Sequence, residues 1–394
     1  MEGFKEELIN NILPYWMDKM QDHENGGFYG RIDGTEVLHA GSNKGSVLNA
    51  RILWTFSSAY RILKDEKYLM VARRAYEYIK TYFIDKENGG IYWELDSKGN
   101  PVNTKKQTYA QGFALYGFSE FYRATGDKEA LELAKEFFYL LEKCYDQQFG
   151  GYLEAYTADW KPIDDVRLSD KDANEKKTMN THLHILEPYT NLCRVWDDDA
   201  LKIAQERLIR IFTDKILDKG NCHLNLFFDE EWNVKFPAIS YGHDIEASWL
   251  LFEAAEVLGN KSLLDEIKKI SIKIADAAAE GLQPDGSMIY ESKGGHLDKE
   301  CHWWVQAEGV VGYMYAYRNS EDHIYHEKAA KLWNYIQHNL VDTQNGEWIW
   351  SRLPDGSINR KDDKAGFWKC PYHNSRMCME MICLLYTSPS PRDR

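Results

Sequence analysis

No uninterrupted apolar run of about 18 residues occurs in the chain, so nothing in it is built to cross a bilayer as a helix. Basic residues are the minority, 48 Lys and Arg against 62 Asp and Glu, and no long basic stripe is present to neutralise phosphates. The net charge of −14 therefore excludes a nucleic-acid partner. The N-terminus, Met1-Glu2-Gly3-Phe4-Lys5-Glu6-Glu7, lacks a basic segment followed by an apolar core, which predicts no signal peptide. Seven cysteines without CxxC spacing argue against a disulfide framework or structural zinc and fit reduced thiols in a cytoplasmic protein. No Pro/Ser-rich linker divides the 394 residues, which predicts a single domain over 1–385. The stretch 386–394 breaks the style of the chain: it is poor in apolar residues, carries two prolines and follows a helical pattern that stops abruptly. It reads as a non-native, disordered tail.

What the chain has in abundance is aromatic surface, 14% of residues with 13 Trp and 25 Tyr, within an apolar fraction of 44%. Such rings fill a large core or line a pocket that stacks flat ligands, and the apolar C–H faces of sugars suit such walls.

A glycine- and aromatic-bearing turn recurs every 60–70 residues or so. The clearest copies are Asn25-Gly26-Gly27-Phe28-Tyr29, Asn88-Gly89-Gly90-Ile91-Tyr92 and Phe149-Gly150-Gly151-Tyr152. Weaker ones follow at Gly220, Gly286 and Gly346. Glycine supplies the positive-φ turn, and the alternating tail suggests a short strand. Between turns, apolar residues at i, i+3, i+4 and i+7 predict about twelve helices. One set, roughly 3–20, 67–84, 127–145, 199–216, 261–280 and 324–341, is rich in Lys and Glu and should lie outside. The other, roughly 46–64, 107–125, 180–197, 242–258, 301–318 and 373–385, is rich in small and aromatic residues and should lie inside. This pattern predicts an all-α (α/α)6 barrel of six outer/inner hairpin repeats with short β-hairpin loops, its first outer helix pairing with its last inner one. An open solenoid is the alternative, but the polar capping repeats it needs are missing.

If the inner helices run parallel, their N-termini share one mouth and favour negative charge there. The residues at those ends are Arg51, Tyr109 with Gln111, Asn180 with His184, His243 with Glu246, Trp303 with Trp304, and His373. Imidazoles titrate near neutrality, so their convergence beside a carboxylate reads as a proton-transfer site. Glu246, three residues after His243, is placed to orient it, whereas His182 points away from His184. Arg51, costly to bury unpaired, should meet a carboxylate or a developing oxyanion. Trp304 and Trp368 are candidate sugar platforms. His184, His243, His373 and Glu246 have the makings of a metal shell, but no HExxH or CxxC spacing supports one, and no metal is expected.

The runs Asn180-Thr181-His182-Leu183-His184-Ile185-Leu186-Glu187, Gly242-His243-Asp244-Ile245-Glu246-Ala247 and Trp303-Trp304-Val305-Gln306-Ala307-Glu308 resemble the cellobiose 2-epimerases of the N-acylglucosamine 2-epimerase superfamily. So do Ala50-Arg51-Ile52-Leu53-Trp54 and Trp368-Lys369-Cys370-Pro371-Tyr372-His373-Asn374, and the likeness runs in order along nearly the whole chain. The resemblance implies the same barrel, no cofactor, and reversible inversion at C2 of the reducing-end glucose of β-1,4-linked disaccharides such as cellobiose, lactose or β-1,4-mannobiose. It implies catalytic roles for Arg51, His184, His243, Glu246 and His373, and substrate contacts from Tyr109, Asn180, Trp303, Trp304 and Trp368. A monomer or weak dimer is expected. On the same fold, an N-acylglucosamine 2-epimerase or a mannose-type aldose–ketose isomerase remains open. From other classes, so do a two-carboxylate glycoside hydrolase and a carbohydrate-binding protein.

Overall fold

The computed structural model describes residues 1–387. Among them, six inner helices, Ser46–Leu63, Thr108–Thr125, Met179–Cys193, Tyr241–Leu258, Trp303–Ser320 and Tyr372–Thr387, each pack on the next, and the sixth packs back on the first. That contact closes the ring, so the barrel and not the open solenoid forms. The outer layer comprises Glu66–Tyr78, Lys128–Lys143, Asp199–Ile211, Lys261–Ala278 and His323–Asn339, with the helical stretch 4–19 lying against the sixth inner helix. The layers divide by composition: Ser46–Leu63 is buried from Ser46 to Ala59, while Lys128–Lys143 buries only a stripe led by Ala130, Ala134, Phe137 and Leu141. Such a stripe is what a one-sided helix requires.

The third inner helix stops at Cys193, short of the expected 197. Tight turns from Arg194 to Trp196 follow, and the Asp198 side chain caps the next outer helix. The sixth inner helix carries through Thr387, two residues past the expected boundary; the rest of the expected tail, 388–394, lies outside the described residues.

A girdle of short strands stitches the mouth. The segment entering each of five inner helices pairs with the hairpin of the following repeat, as Lys44–Gly45 does with Glu94–Leu95 and Lys177–Thr178 with Phe227–Phe228. A single bridge from Ile32 to Ala365 joins the first repeat to the last. Buried Lys–Asp pairs pin the girdle. Lys44, Lys106 and Lys177 reach Asp22, Asp85 and Asp146 at 2.8, 2.7 and 2.7 Å, each aspartate opening its turn. Such buried pairs fix register more than they add stability. The second glycine of a turn also admits no side chain. Gly151 has φ +82°, and a Cβ there would sit 2.3 Å from the Trp232 ring.

Candidate active site

The fourth residue of several inner helices locks the preceding hairpin. Gln111 exchanges hydrogen bonds with the Ile91 backbone (2.8 and 3.0 Å), and Gln306 does so with Met288 (2.8 and 2.7 Å). At the same place His182 accepts from the Tyr152 N–H at 2.9 Å, and Asp244 accepts from the Leu224 N–H at 2.9 Å. Burial, helped by the nearby Lys177 charge, holds the His182 imidazole down at about 4, a neutral structural group turned away from His184, as expected. The first N–H of four inner helices is likewise spent on a hairpin carbonyl, from Trp93, Glu154, Leu226 or Trp350. Part of the anion preference expected from the helix ends is thereby used in building the rim.

Inside that rim, one cavity of about 570 Å³ is lined by all ten residues singled out from the sequence: Arg51, Tyr109, Asn180, His184, His243, Glu246, Trp303, Trp304, Trp368 and His373. They come from separate repeats, and ring closure is what brings them together. Trp304 packs against two of the imidazoles, its centroid 4.7 Å from His243 and 5.6 Å from His373. His184 packs edge-on to Tyr109 at 5.0 Å, and Tyr109 reaches Trp368 at 5.9 Å. Trp303 stacks obliquely on Trp350 at 4.7 Å.

The partners of the imidazoles differ from expectation. Glu246 does not orient His243: the His243 Nδ1 meets Ser240 Oγ at 2.7 Å, while Glu246 accepts from Arg376 at 2.7 Å. A residue at the third position of its helix turns back to the N-cap, whereas the sixth position faces the barrel axis, so the i,i+3 spacing does not join them. The carboxylates that do hold histidines are Glu187, at 2.6 Å from His184 Nδ1, and Glu308, at 2.7 Å from His373 Nδ1. Because an ionised carboxylate only accepts, both rings carry their proton on Nδ1 and leave Nε2 as the lone-pair nitrogen. Burial holds His243 and His373 down at about 3, with Arg51 adding to the effect on both. His184 is lowered too, burial outweighing Glu187. All three therefore rest neutral, as bases must.

Beneath them sits Arg376, a residue the sequence reading passed over. Its guanidinium reaches Glu187 (2.5 Å), Glu246 (2.7 Å) and Glu308 (2.6 Å), and it also bonds the Tyr372 hydroxyl. Although burial pushes them up, Arg376 holds Glu187 down at about 2 and keeps Glu308 low. Glu246 is different: burial and the neighbouring Glu308 raise it well above the usual carboxylate range despite Arg376. Its Oε2 has no partner among the described residues. Two sets of atoms of ligand type, His184/Glu187/Glu246 and Glu246/Glu308/His373, lie within 4.8 Å of one another and are where a cation would sit; Arg376 already supplies that charge.

Of the two partners expected for Arg51, a carboxylate or a developing oxyanion, the structure offers no carboxylate among the described residues. Arg51 donates to Tyr109 Oη at 2.8 Å and Cys370 Sγ at 3.5 Å, under the faces of Phe113 (4.3 Å) and Tyr372 (4.8 Å). Its charge is cushioned by aromatic faces and left without a counter-ion at the cavity wall. Glu187 and Glu308 lay within the motif runs, and the i,i+3 spacing from His184 to Glu187 was a usable signal. Arg376 and the pairing of His373 with Glu308 have no local signature.

The likeness to known proteins is extensive. The family model described as N-acylglucosamine 2-epimerase (GlcNAc 2-epimerase) matches residues 26–376. The chain is 57% identical over 384 residues to the cellobiose 2-epimerase of Bacteroides fragilis, covering 97% of this chain and 98% of that one. It is 40% identical over 378 residues to that of Dictyoglomus turgidum, covering 96% of each. The solved cellobiose 2-epimerase of Bacillus thermoamylovorans superposes with a TM-score of 0.93 at 41% identity, over 96% of this chain and 97% of that one. This chain belongs to the N-acylglucosamine 2-epimerase family and, within it, to the cellobiose 2-epimerases.

Proposed function

We propose that this chain, acting as a single domain over 1–385, reversibly inverts C2 of the reducing-end glucose in β-1,4-linked disaccharides. Cellobiose becomes glucosyl-mannose and lactose becomes epilactose, with β-1,4-mannobiose a further substrate. The observation that carries the reading is three neutral imidazoles facing one aromatic-walled cavity, two of them backed by ionised carboxylates.

A closed pyranose has no acidic C2 proton, so the hemiacetal opens first, His184 moving the proton between ring and carbonyl oxygens. C2–H then lies beside a carbonyl. His243 and His373, both packed against Trp304, remove the proton from one face and return one to the other through a cis-enediolate. Arg51, lacking a carboxylate, stabilises the oxyanion. Glu246, at the cavity lining, meets a substrate hydroxyl; Trp304, Trp303 and Trp368 stack the sugars, and Tyr109 and Asn180 position them. The protein works as a monomer or weak dimer in the cytoplasm, without cofactor, and no described helix is long and apolar enough to cross a membrane.

A glycoside hydrolase needs two carboxylates flanking the bond, about 5–9.5 Å apart. Glu246 and Glu308 instead share one Arg376 nitrogen on one side of the cavity. Incubation with cellobiose in D₂O, followed by NMR, tests the assignment. Deuterium at C2 of a mannose-configured product is expected. Free glucose, a ketose as the main product, or unchanged sugar would each overturn it in favour of hydrolysis, isomerisation or binding.

A further inference from the structure

Arg376 is not itself part of the cavity lining, yet it is bound to both carboxylates that hold histidines. It rises from the sixth inner helix between the Trp249 and Tyr372 rings, at 4.8 and 4.3 Å, and is 1% exposed. Its three acidic partners come from three other inner helices: Glu187 from the third, Glu246 from the fourth, Glu308 from the fifth. One planar fork thus ties together four of the six staves of the barrel, a task that suits guanidinium and not the point charge of an ammonium.

Three buried carboxylates in such proximity do not all stay ionised without a cation among them. A carboxyl that takes a proton becomes an O–H donor, and its natural partner is then an Nδ1 lone pair. The imidazole would answer by placing its own proton on Nε2, the nitrogen that must accept from the substrate. We propose that Arg376 is a positioning residue that fixes the Nδ1–H tautomer of His184 and His373 by keeping Glu187 and Glu308 ionised. Glu246, whose second oxygen is free, absorbs the excess charge of the trio by holding a proton itself. His243, backed by the Ser240 hydroxyl, which serves either tautomer, lies outside this control.

The proposal rests on His184 and His373 being proton carriers, but its first test needs no substrate. In ¹⁵N-labelled wild-type protein near neutral pH, imidazole spectra should show His184 and His373 protonated at Nδ1 and bare at Nε2; protonation at Nε2 overturns the idea, whatever the enzyme does to cellobiose. In Arg376→Met, both rings should shift towards the Nε2–H form. Turnover should then fall by at least about 10²-fold, up to the roughly 10⁴ that a wrong tautomer costs a triad histidine, with KM within about threefold. Arg376→Lys, which keeps the charge, should recover about tenfold of that loss or more. A Met variant with wild-type tautomers and turnover overturns the proposal, and if that variant does not fold, the wild-type spectrum decides. Failure of the wild type to epimerise would instead sink the functional assignment and leave the tautomer result standing.

Discussion

Glu154 offers a stability measurement that reports on the rim of the site without touching its chemistry. It is buried behind the third inner helix, where its carboxyl accepts from the Thr178 N–H (2.8 Å), the Thr178 hydroxyl (2.9 Å) and the Thr181 hydroxyl (2.6 Å). No cation pairs with it among the described residues, and burial, opposed only by these neutral donors, pushes it up to about 8. A carboxyl whose folded value exceeds its unfolded one stabilises fully below the unfolded value of 4.5, and that contribution is lost as pH rises through 8. At about 1.36 kcal/mol per unit, the loss between about pH 5 and pH 8.5 comes to about 4 kcal/mol. For 394 residues, an unfolding entropy of about 2.1 cal/mol/K per residue converts this to a drop in Tm of roughly 5 °C. Glu154→Gln keeps the shape and most of the hydrogen bonding and cannot ionise. Other raised groups, Glu380 among them at about 7, slope in the same direction, so the quantity to read is the difference between variant and wild type across pH by scanning calorimetry. The variant should gain on the wild type by roughly 5 °C over that span. Parallel curves would refute the claim that this carboxyl is buried as an acid.

Replacing His243 or His373 by Asn should lower kcat about 10²–10⁴-fold with little change in KM, as steady-state assays on cellobiose would show. An anionic analogue of the open-chain intermediate that is ionised throughout this pH range, such as the aldonate of the disaccharide, should bind with proton uptake, because the resting imidazoles at about 3 rise once a negative charge faces them. Its affinity, by titration calorimetry, should grow by up to about tenfold per pH unit as pH falls from about 8 to 6, and a flat profile would count against neutral resting histidines. Gly151→Ala should lose about 2–4 kcal/mol in denaturant unfolding, since it combines a positive φ with a Cβ set against Trp232.

The repeat glycines, the two helix compositions and the histidines at helix starts are local signals, and each survives into the structure at nearly its expected place. What spacing misjudges is direction. The same i,i+3 interval separates His184 from Glu187 and His243 from Glu246, but only the first is a pair, because position along the helix decides whether a side chain faces the N-cap or the axis. Arg376 was hidden for a different reason. Its partners lie 189, 130 and 68 residues away and meet it only because the ring closes. For Arg51, energetics allow either a carboxylate or a developing oxyanion, and the structure narrows the choice by surrounding it with tyrosine, thiol and aromatic faces.

Those departures are connected by charge. At and beneath the cavity floor Arg51 and Arg376 bring two positive charges, Glu187 and Glu308 two negative, and Glu246, raised by burial and by Glu308, is the acid proposed to hold its proton. With three neutral imidazoles the sum is near zero, so a neutral sugar enters without an electrostatic mismatch. Proton abstraction then creates two charges at once, an imidazolium and an enediolate. In the proposed reaction the imidazolium of His373 finds Glu308 already in contact, and the enediolate finds Arg51, which has no carboxylate attached among the described residues. Had Arg51 been paired with a carboxylate, or Glu308 been left unpaired by Arg376, those stabilisations would be present in the ground state or absent altogether. In this reading the contacts stabilise the charge-separated state more than they stabilise the resting one, and only that difference accelerates the reaction.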